Sequence, residues 1–391
     1  MLLRLWEICH SLVENFIPTP MAENQRYLAL DVFRGMTVCF MIIVNSPGSW
    51  GHIYAPLEHA PWHGFTPTDL VFPSFLFAVG NALAFVMYKY EGQGESIFWT
   101  RTIKRLCIIF LIGYLLSWFP FYNFGTGEFK AIGHTRIPGV LQRIALCYFF
   151  ASIIIHYCSK NLIVIISGLL LLGYWIVVYA FGDPNDPYSL SGFIGNDMDK
   201  LLLGDNHLYH GEGVAFDPEG ILSTLPAIVN VTFGYLAGDF IRKNGNNFET
   251  IAKLMLYGAG AVVLALTWHM AFPINKKLWT SSFVLVTVGI DMMFIGTLIY
   301  VIEILKKVKW TNFFVVFGRN PLFIYILADV LITLFYIIPV GDKTFGGWLF
   351  EDFYGSVMSP INASLAFALT FMLINWAIGY VMDKKKIYVR V

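Results

Sequence analysis

The fold class this sequence predicts is all-α, a polytopic protein threaded about ten times through a lipid bilayer, and three observations carry it. Charged residues make up only 13% of the 391, against roughly 25% in soluble domains. Apolar stretches near the roughly 20 residues a helix needs to cross a hydrocarbon core of about 30 Å recur along the chain. The cations are distributed unevenly between the connections that separate those stretches. Lysine plus arginine equal aspartate plus glutamate at 26 each, so bulk charge points neither to nucleic acid nor to a polybasic surface.

Residues 1–25 form a first unit. Leu2, Leu5, Trp6, Cys9, Leu12, Val13, Phe16 and Ile17 recur at helical spacing, with Arg4, Glu7, Ser11 and Glu14 opposite. That pattern predicts an amphipathic helix in the membrane interface, or one packed on the bundle, ended by Pro18 and Pro20. Arg4, Glu7, His10 and Glu14 interrupt any signal-peptide core. The remainder, 26–391, reads as a single transmembrane domain.

On the bilayer ruler its spans fall near 32–50, 68–89, 103–121, 138–157, 161–181, 221–241, 251–271, 280–303, 314–338 and 360–382. With both termini cytoplasmic, 19 of the 26 cations lie on the inner side, in short basic connections. The Asn45–Asp69 connection and the long segments 122–137, 182–220 and 339–359 then face outward, with most of the histidines. Five scattered cysteines without a CxxC are expected as small core residues, not as a disulfide or metal framework.

The connection from Asn45 to Asp69 is too polar and too aromatic for a plain turn, holding Trp50, His52, Tyr54, Glu58, His59, Trp62 and His63. Imidazoles, an amide and carboxylates at a membrane boundary point to a site. His59 and His63 are four apart, but Pro61 between them and Gly64 after them argue against a helical metal pair. A single imidazole acting as base or nucleophile needs only an orienting partner, and Glu58, Asp69 and Asn45 are all within sequence reach.

Other polar groups sit where hydrocarbon makes them costly. Asp31 and Arg34 at the inner start of the first span form either a local ion pair or part of an anion-binding mouth. Arg136 and Arg143 are about two turns apart, and Arg143 needs an acidic neighbour or an anionic ligand. Asn275, Lys276 and Trp279 precede the eighth span, while Asp291, Asn320 and Asp329 fall inside the eighth and ninth. The 182–220 segment, rich in Gly, Asp and Asn, suits hydrogen bonding to a polyhydroxylated ligand, and it lacks a calcium-loop frame. No GxSxG, Walker A or GxGxxG motif stands in a usable context.

LDVFRG, an asparagine closing the first span, EHAPWHGFTPTDLVFPSFLF, RIPGVLQR, DKLLLGDNHLY, FDPEGIL and INKKLW occur here in one order. Together they resemble the heparan-alpha-glucosaminide N-acetyltransferase family of transmembrane acyltransferases, from Arg26 to about Tyr325. The resemblance implies an enzyme that moves an acetyl group from cytoplasmic acetyl-CoA to the amino group of a terminal glucosamine across the membrane. It implies His59 as catalytic histidine and Asn45 as its partner, with Asp69 and Glu58 as candidate orienters. Arg26, Asp31 and Arg34 fall at the family's cofactor entrance, and Arg136 and Arg143 join them as candidate contacts to the anionic donor. Candidate acceptor contacts are Trp62, His63, Asp217, Glu219, Asn275 and Lys276, and no metal is expected. Against that family the chain is expected to lack the large luminal extension of lysosomal members and to have an Asn45–His59 connection a few residues longer. A short bacterial member in the inner membrane is therefore expected. Expected partners are acetyl-CoA, an amino sugar or glycan, membrane lipids and, as one option, a second copy of the chain, with no nucleic acid. Two other readings stay open: O-acylation of an envelope polysaccharide or glycolipid, and a non-enzymatic transporter of a sugar or lipid-linked sugar.

Overall fold

A computed structural model describes residues 27–90 and 94–389. The amphipathic helix expected over 1–25, Arg26 and Cys9 lie outside the described residues. The helices are α1 Leu28–Asn45, α2 Val71–Ala84, α3 Glu95–Trp118, α4 Val140–Tyr157, α5 Lys160–Phe181 and the short α6 Ile194–Leu203. They continue as α7 Thr224–Asn244, α8 Phe248–His269, α9 Ser281–Ile299, α10 Thr311–Arg319, α11 Pro321–Phe335 and α12 Pro360–Lys384. Two small hairpins, pairing Tyr122–Asn123 with Glu128–Phe129 and Pro339–Val340 with Lys343–Thr344, decorate the connections.

Helix covers each expected span, but not always as a full crossing. Seven described helices are long and apolar enough to cross a membrane: α1, α4, α5, α7, α8, α9 with the turn that follows it, and α12. Three expected spans need correction. The second is a helix of only 14 residues, about 21 Å, because the Thr66–Asp69 capping box starts it late. The third begins at Glu95, so Arg101, Lys104 and Arg105 fall inside it. The ninth is broken: α10 and α11 meet at 85°. Asn320 precedes Pro321 and is driven out of helical geometry, at φ −130° and ψ 49°.

The Asn320 and Arg319 side chains at that break hold the C-terminal tail. Asn320 Nδ2 donates to the Ile387 carbonyl and Asn320 Oδ1 accepts from Val389 N, both at 2.9 Å. Arg319 Nη1 clasps Asp383 at 2.6 and 2.8 Å.

The centre of the molecule is built from α1, α2, α4, α7 and α9. α7 is 72% buried, whereas α5 and α8 are 28% and 22% buried and turn Leu, Ile and Val outward. Lipid is the solvent such rims require. Small residues bring the central helices into backbone contact: a Cβ on Gly80 of α2 would meet the Val231 carbonyl of α7, and one on Gly234 the Phe77 carbonyl. Gly35 of α1 and Gly318 of α10 interlock in the same way, against the Phe314 and Asp31 carbonyls.

The connections after α1, α3, α5 and α8 gather at one end of the bundle. Gly64 N donates to the Ile274 carbonyl at 2.7 Å and Ile137 N to the His207 carbonyl at 2.9 Å. The connection after α1 is also pinned to α12, where Tyr54 OH donates to Asn362 Oδ1 at 2.6 Å and Ser49 N to Ser364 Oγ at 3.1 Å.

Candidate active site

The connection from Asn45 to Asp69 contains no α-helix: prolines 56, 61 and 67 and two one-turn 3₁₀ segments fold it back on itself. The key to its shape is Asp69, buried on the turn ahead of α2. Its Oδ2 accepts from Thr66 N at 3.0 Å and Ala60 N at 3.1 Å, closing the loop around the residue before Ala60. Its Oδ1 lies 2.6 Å from His59 Nδ1. A carboxylate there fixes the tautomer: Nδ1 carries the proton and donates, leaving the Nε2 lone pair as the acceptor of the ring. The His59 side chain is 38% exposed.

The third member arrives from a distant loop. Gly64 ties the histidine loop to the segment before α9, and that segment sets Lys276 Nζ 3.0 Å from His59 Nδ1, 3.2 Å from Nε2 and 3.6 Å from Asp69 Oδ1. Burial pushes the Asp69 carboxyl up, but the His59 hydrogen bond, the Lys276 cation and the two backbone N–H groups outweigh it and hold the carboxyl below its usual value. Desolvation works the other way on Lys276, whose ammonium is pushed below its usual range despite Asp69 and Glu219.

These groups open onto a cavity of about 390 Å³ lined also by Asn45, Trp50, Arg136, Tyr209, Glu219 and Tyr325. Arg136 is held by carboxylates: Nε donates to Asp217 Oδ2 at 2.8 Å and Nη2 to Asp217 Oδ1 at 2.6 Å and Glu219 Oε2 at 2.5 Å. Desolvation opposes its charge, yet the Asp217 and Glu219 bonds win and raise its pKa.

Of the candidate residues, the structure therefore brings together Asn45, His59, Asp69, Arg136, Glu219 and Lys276. The rest of the set falls elsewhere. Glu58 supplies the loop with its carbonyl, which accepts from Thr66 Oγ1 at 2.6 Å; Asp69 holds the ring. Asp217 is buried beneath Arg136 and accepts from Tyr209 N and Glu219 N, a fastening role. Trp62 donates to the Tyr188 carbonyl at 2.8 Å and packs on Phe216, and His63 faces Asn275 at 3.4 Å. Asn275 is itself buried, accepting from Leu278 N to shape the lysine loop. Arg143 is buried off the cavity, donating to the Gly220 carbonyl and to Ser223 Oγ and lying 4.9 Å over the Trp279 ring. Asp31 and Arg34 stand at the far end of α1, 3.9 Å apart.

Sequence reasoning had not selected Tyr209, Glu212, Lys277 or Tyr325. Lys277 pairs with Glu212 at 2.7 Å and lies 5.7 Å from the Trp62 ring centre. Its signal in the sequence is its place in INKKLW beside Lys276. Among the described residues no cluster of His, Cys, Asp and Glu could hold a metal ion, and Cys39, Cys107, Cys147 and Cys158 are free thiols.

A second cavity of about 590 Å³ lies between α1, α2, α9, α10 and α12. Along α1 it follows Phe33, Met36, Thr37, Phe40 and Ile43, a run of about 15 Å. Val71 borders both cavities. Its wall is apolar except for Thr37, Ser74 and Asp291.

Residues 26–201 match the family model described as heparan-alpha-glucosaminide N-acetyltransferase, catalytic. The heparan-alpha-glucosaminide N-acetyltransferase of Mus musculus is 29% identical over 432 aligned residues, covering 95% of this chain and 61% of the mouse protein. That of Homo sapiens is 29% identical over 362 residues, covering 78% of this chain and 53% of its own length. The chain thus spans a little over half the length of the curated relatives it matches.

Proposed function

We propose that the chain is a member of the heparan-alpha-glucosaminide N-acetyltransferase family, which its matches support, and from that premise that it is an integral membrane acyltransferase moving an acetyl group from cytoplasmic acetyl-CoA to a terminal glucosamine-like amine on the extracytoplasmic side. The observation that carries this reading is the buried Asp69 holding His59 by Nδ1, with Lys276 beside the ring and Asn45 on the same cavity wall.

In direct transfer, Nε2 of His59 takes the proton from the acceptor amine as its nitrogen attacks the thioester carbonyl. The carbonyl oxygen gathers negative charge, which the Asn45 amide and the Lys276 ammonium offset. The C–S bond breaks, and the proton held on Nε2 passes to the departing thiolate. In the two-step variant Nε2 itself attacks the thioester, releases CoA and hands the acetyl group to the amine. Both use the tautomer that Asp69 imposes.

The second cavity supports a route for the donor. It begins one residue from Arg34 on α1 and ends at Val71 beside the histidine loop, so a thioester arm entering among Asp31, Arg34 and Arg319 reaches the site while its nucleotide stays outside. Ten crossings in total, with both termini on the cytoplasmic side of a bacterial inner membrane, fit the cation asymmetry. The acceptor lies in the first cavity against Trp50, Tyr209 and Glu219.

The test is acetyl transfer from labelled acetyl-CoA by the purified protein to glucosamine and to N-acetylglucosamine. Transfer to glucosamine alone is expected. His59→Ala abolishes it while CoA still binds, and wild-type turnover in that variant ends the assignment.

A further inference from the structure

Asp291 sits midway along α9, 2% exposed, with its side chain on the wall of the 590 Å³ cavity. Ser74 Oγ of α2 donates to its Oδ1 at 2.6 Å, but Oδ2 finds no hydrogen-bond partner among the described residues. An orphaned carboxyl oxygen in an apolar, membrane-depth wall is costly, and such a group persists where something else completes it. Nothing in the histidine site uses it: Asp69, His59 and Lys276 are satisfied among themselves.

The space before Asp291 is narrow in its chemistry. Phe33, Met36, Phe40, Phe294 and Phe313 give it aromatic and thioether walls, and polarity is confined to Thr37 and the Ser74–Asp291 pair. A plain acyl chain satisfies the walls and leaves Oδ2 orphaned. A free ion satisfies Oδ2 and is repelled by the walls. A slender chain that is mostly methylene and carries a secondary amide satisfies both. Its N–H donates to a carboxylate and its C=O accepts from a protonated carboxyl, so an amide matches Asp291 in either charge state.

We infer that the Asp291–Ser74 pair is a binding station inside the corridor that grips an amide of the donor's thiol arm. This deepens the acetyl-CoA reading and rests on it: the arm of CoA carries two secondary amides, and the station sets how far the arm advances toward Val71 and His59.

The experiment measures binding of CoA and of 3′-phospho-ADP, which is the nucleotide without the arm, to the full chain in lipid nanodiscs. CoA is expected to bind tighter than 3′-phospho-ADP. Asp291→Leu weakens CoA roughly tenfold to a hundredfold and leaves 3′-phospho-ADP unchanged, while Asp291→Asn, which keeps a donor and an acceptor, holds CoA within about threefold. Ser74→Ala, a milder change, weakens CoA alone by roughly three- to tenfold and carries the test if the leucine variant does not fold. Equal affinity of wild type for the two probes, or full CoA affinity in both Asp291→Leu and Ser74→Ala, overturns the station. So does a lipid acyl chain that co-purifies in the corridor and is not displaced by CoA. A wild type that binds neither probe defeats the acetyl-CoA reading itself, an outcome distinct from the others.

Discussion

Asp69→Asn replaces one oxygen by an amide nitrogen at the point where the histidine loop is fastened. Oδ2 receives Ala60 N and Thr66 N at 3.1 and 3.0 Å, so the asparagine keeps its carbonyl on that side and the loop stays closed. Its NH₂ group is then forced toward His59 Nδ1, the atom now 2.6 Å from Oδ1. An amide donates there, so Nδ1 becomes the acceptor and the ring proton moves to Nε2. The lone pair that takes the acceptor's proton is gone. Loss of a positioned base costs roughly 10²–10⁴ in rate, or about 3–5 kcal/mol of barrier. The assay is single-turnover acetyl transfer to glucosamine beside CoA binding and thermal unfolding. Transfer is expected to collapse with CoA affinity and unfolding midpoint near wild type. Turnover within threefold of wild type refutes the tautomer argument. The same fastening carries a pH signature. Asp69 titrates below its unfolded value, so its contribution is complete above about pH 4 and is lost as pH falls through the lower folded value. Asp69→Asn removes that acid-side loss.

Three further expectations follow from separate places in the fold. Asp199 on α6 is buried, its carboxyl raised to about 6 by desolvation. The fold therefore prefers its neutral form, and stability declines as pH rises through that value; Asp199→Asn, which keeps the acceptor for Ile221 N at 2.9 Å, should raise stability at pH 7.5 by up to about 3 kcal/mol, read as a higher unfolding midpoint, and no gain there refutes it. Gly234→Val drives a side chain into the Phe77 carbonyl and should destabilise the α2–α7 pair by about 1–3 kcal/mol or more, read as a lowered unfolding midpoint in detergent; an unchanged midpoint refutes the close approach. Arg34→Ala should weaken CoA binding several-fold, about 1 kcal/mol for a partly exposed charge, while sparing glucosamine; unchanged CoA affinity refutes the basic entrance.

The crossings were legible because hydrocarbon imposes a length and a polarity that composition cannot hide. Their irregularities were not. The Asn320–Pro321 step was visible as a dipeptide, yet neither its 85° turn nor the grip of the Asn320 side chain on the tail can be read from it. α2 was read too long because Leu70 onward is apolar, while the Thr66–Asp69 box decides where the helix starts. In the site, the loop chemistry of Asn45, His59 and Asp69 was readable locally. Lys276 could be singled out as polar but not paired with a histidine 217 positions away. Polarity alone equally misplaced Asn275 and Trp62, whose hydrogen-bonding groups serve loop carbonyls and amides rather than the cavity. Arg143 was expected to need an acid or an anion; its direct partners are a carbonyl, a hydroxyl and an indole face, with Glu219 and Asp217 close enough to act on its charge.

The interlocked glycines have a bearing on how cargo can cross this protein. On each side of the corridor two backbones touch, α1 against α10 and α2 against α7, with no side chain between them to act as a bearing. Helices meshed so tightly do not slide or rock past one another without first separating. A carrier that alternates its opening between compartments needs that freedom, and this architecture withholds it from the helices that meet at these glycines. Under the acyl-transfer reading proposed above, a two-carbon group is handed across a stationary partition, with the sugar and the nucleotide each remaining on its own side.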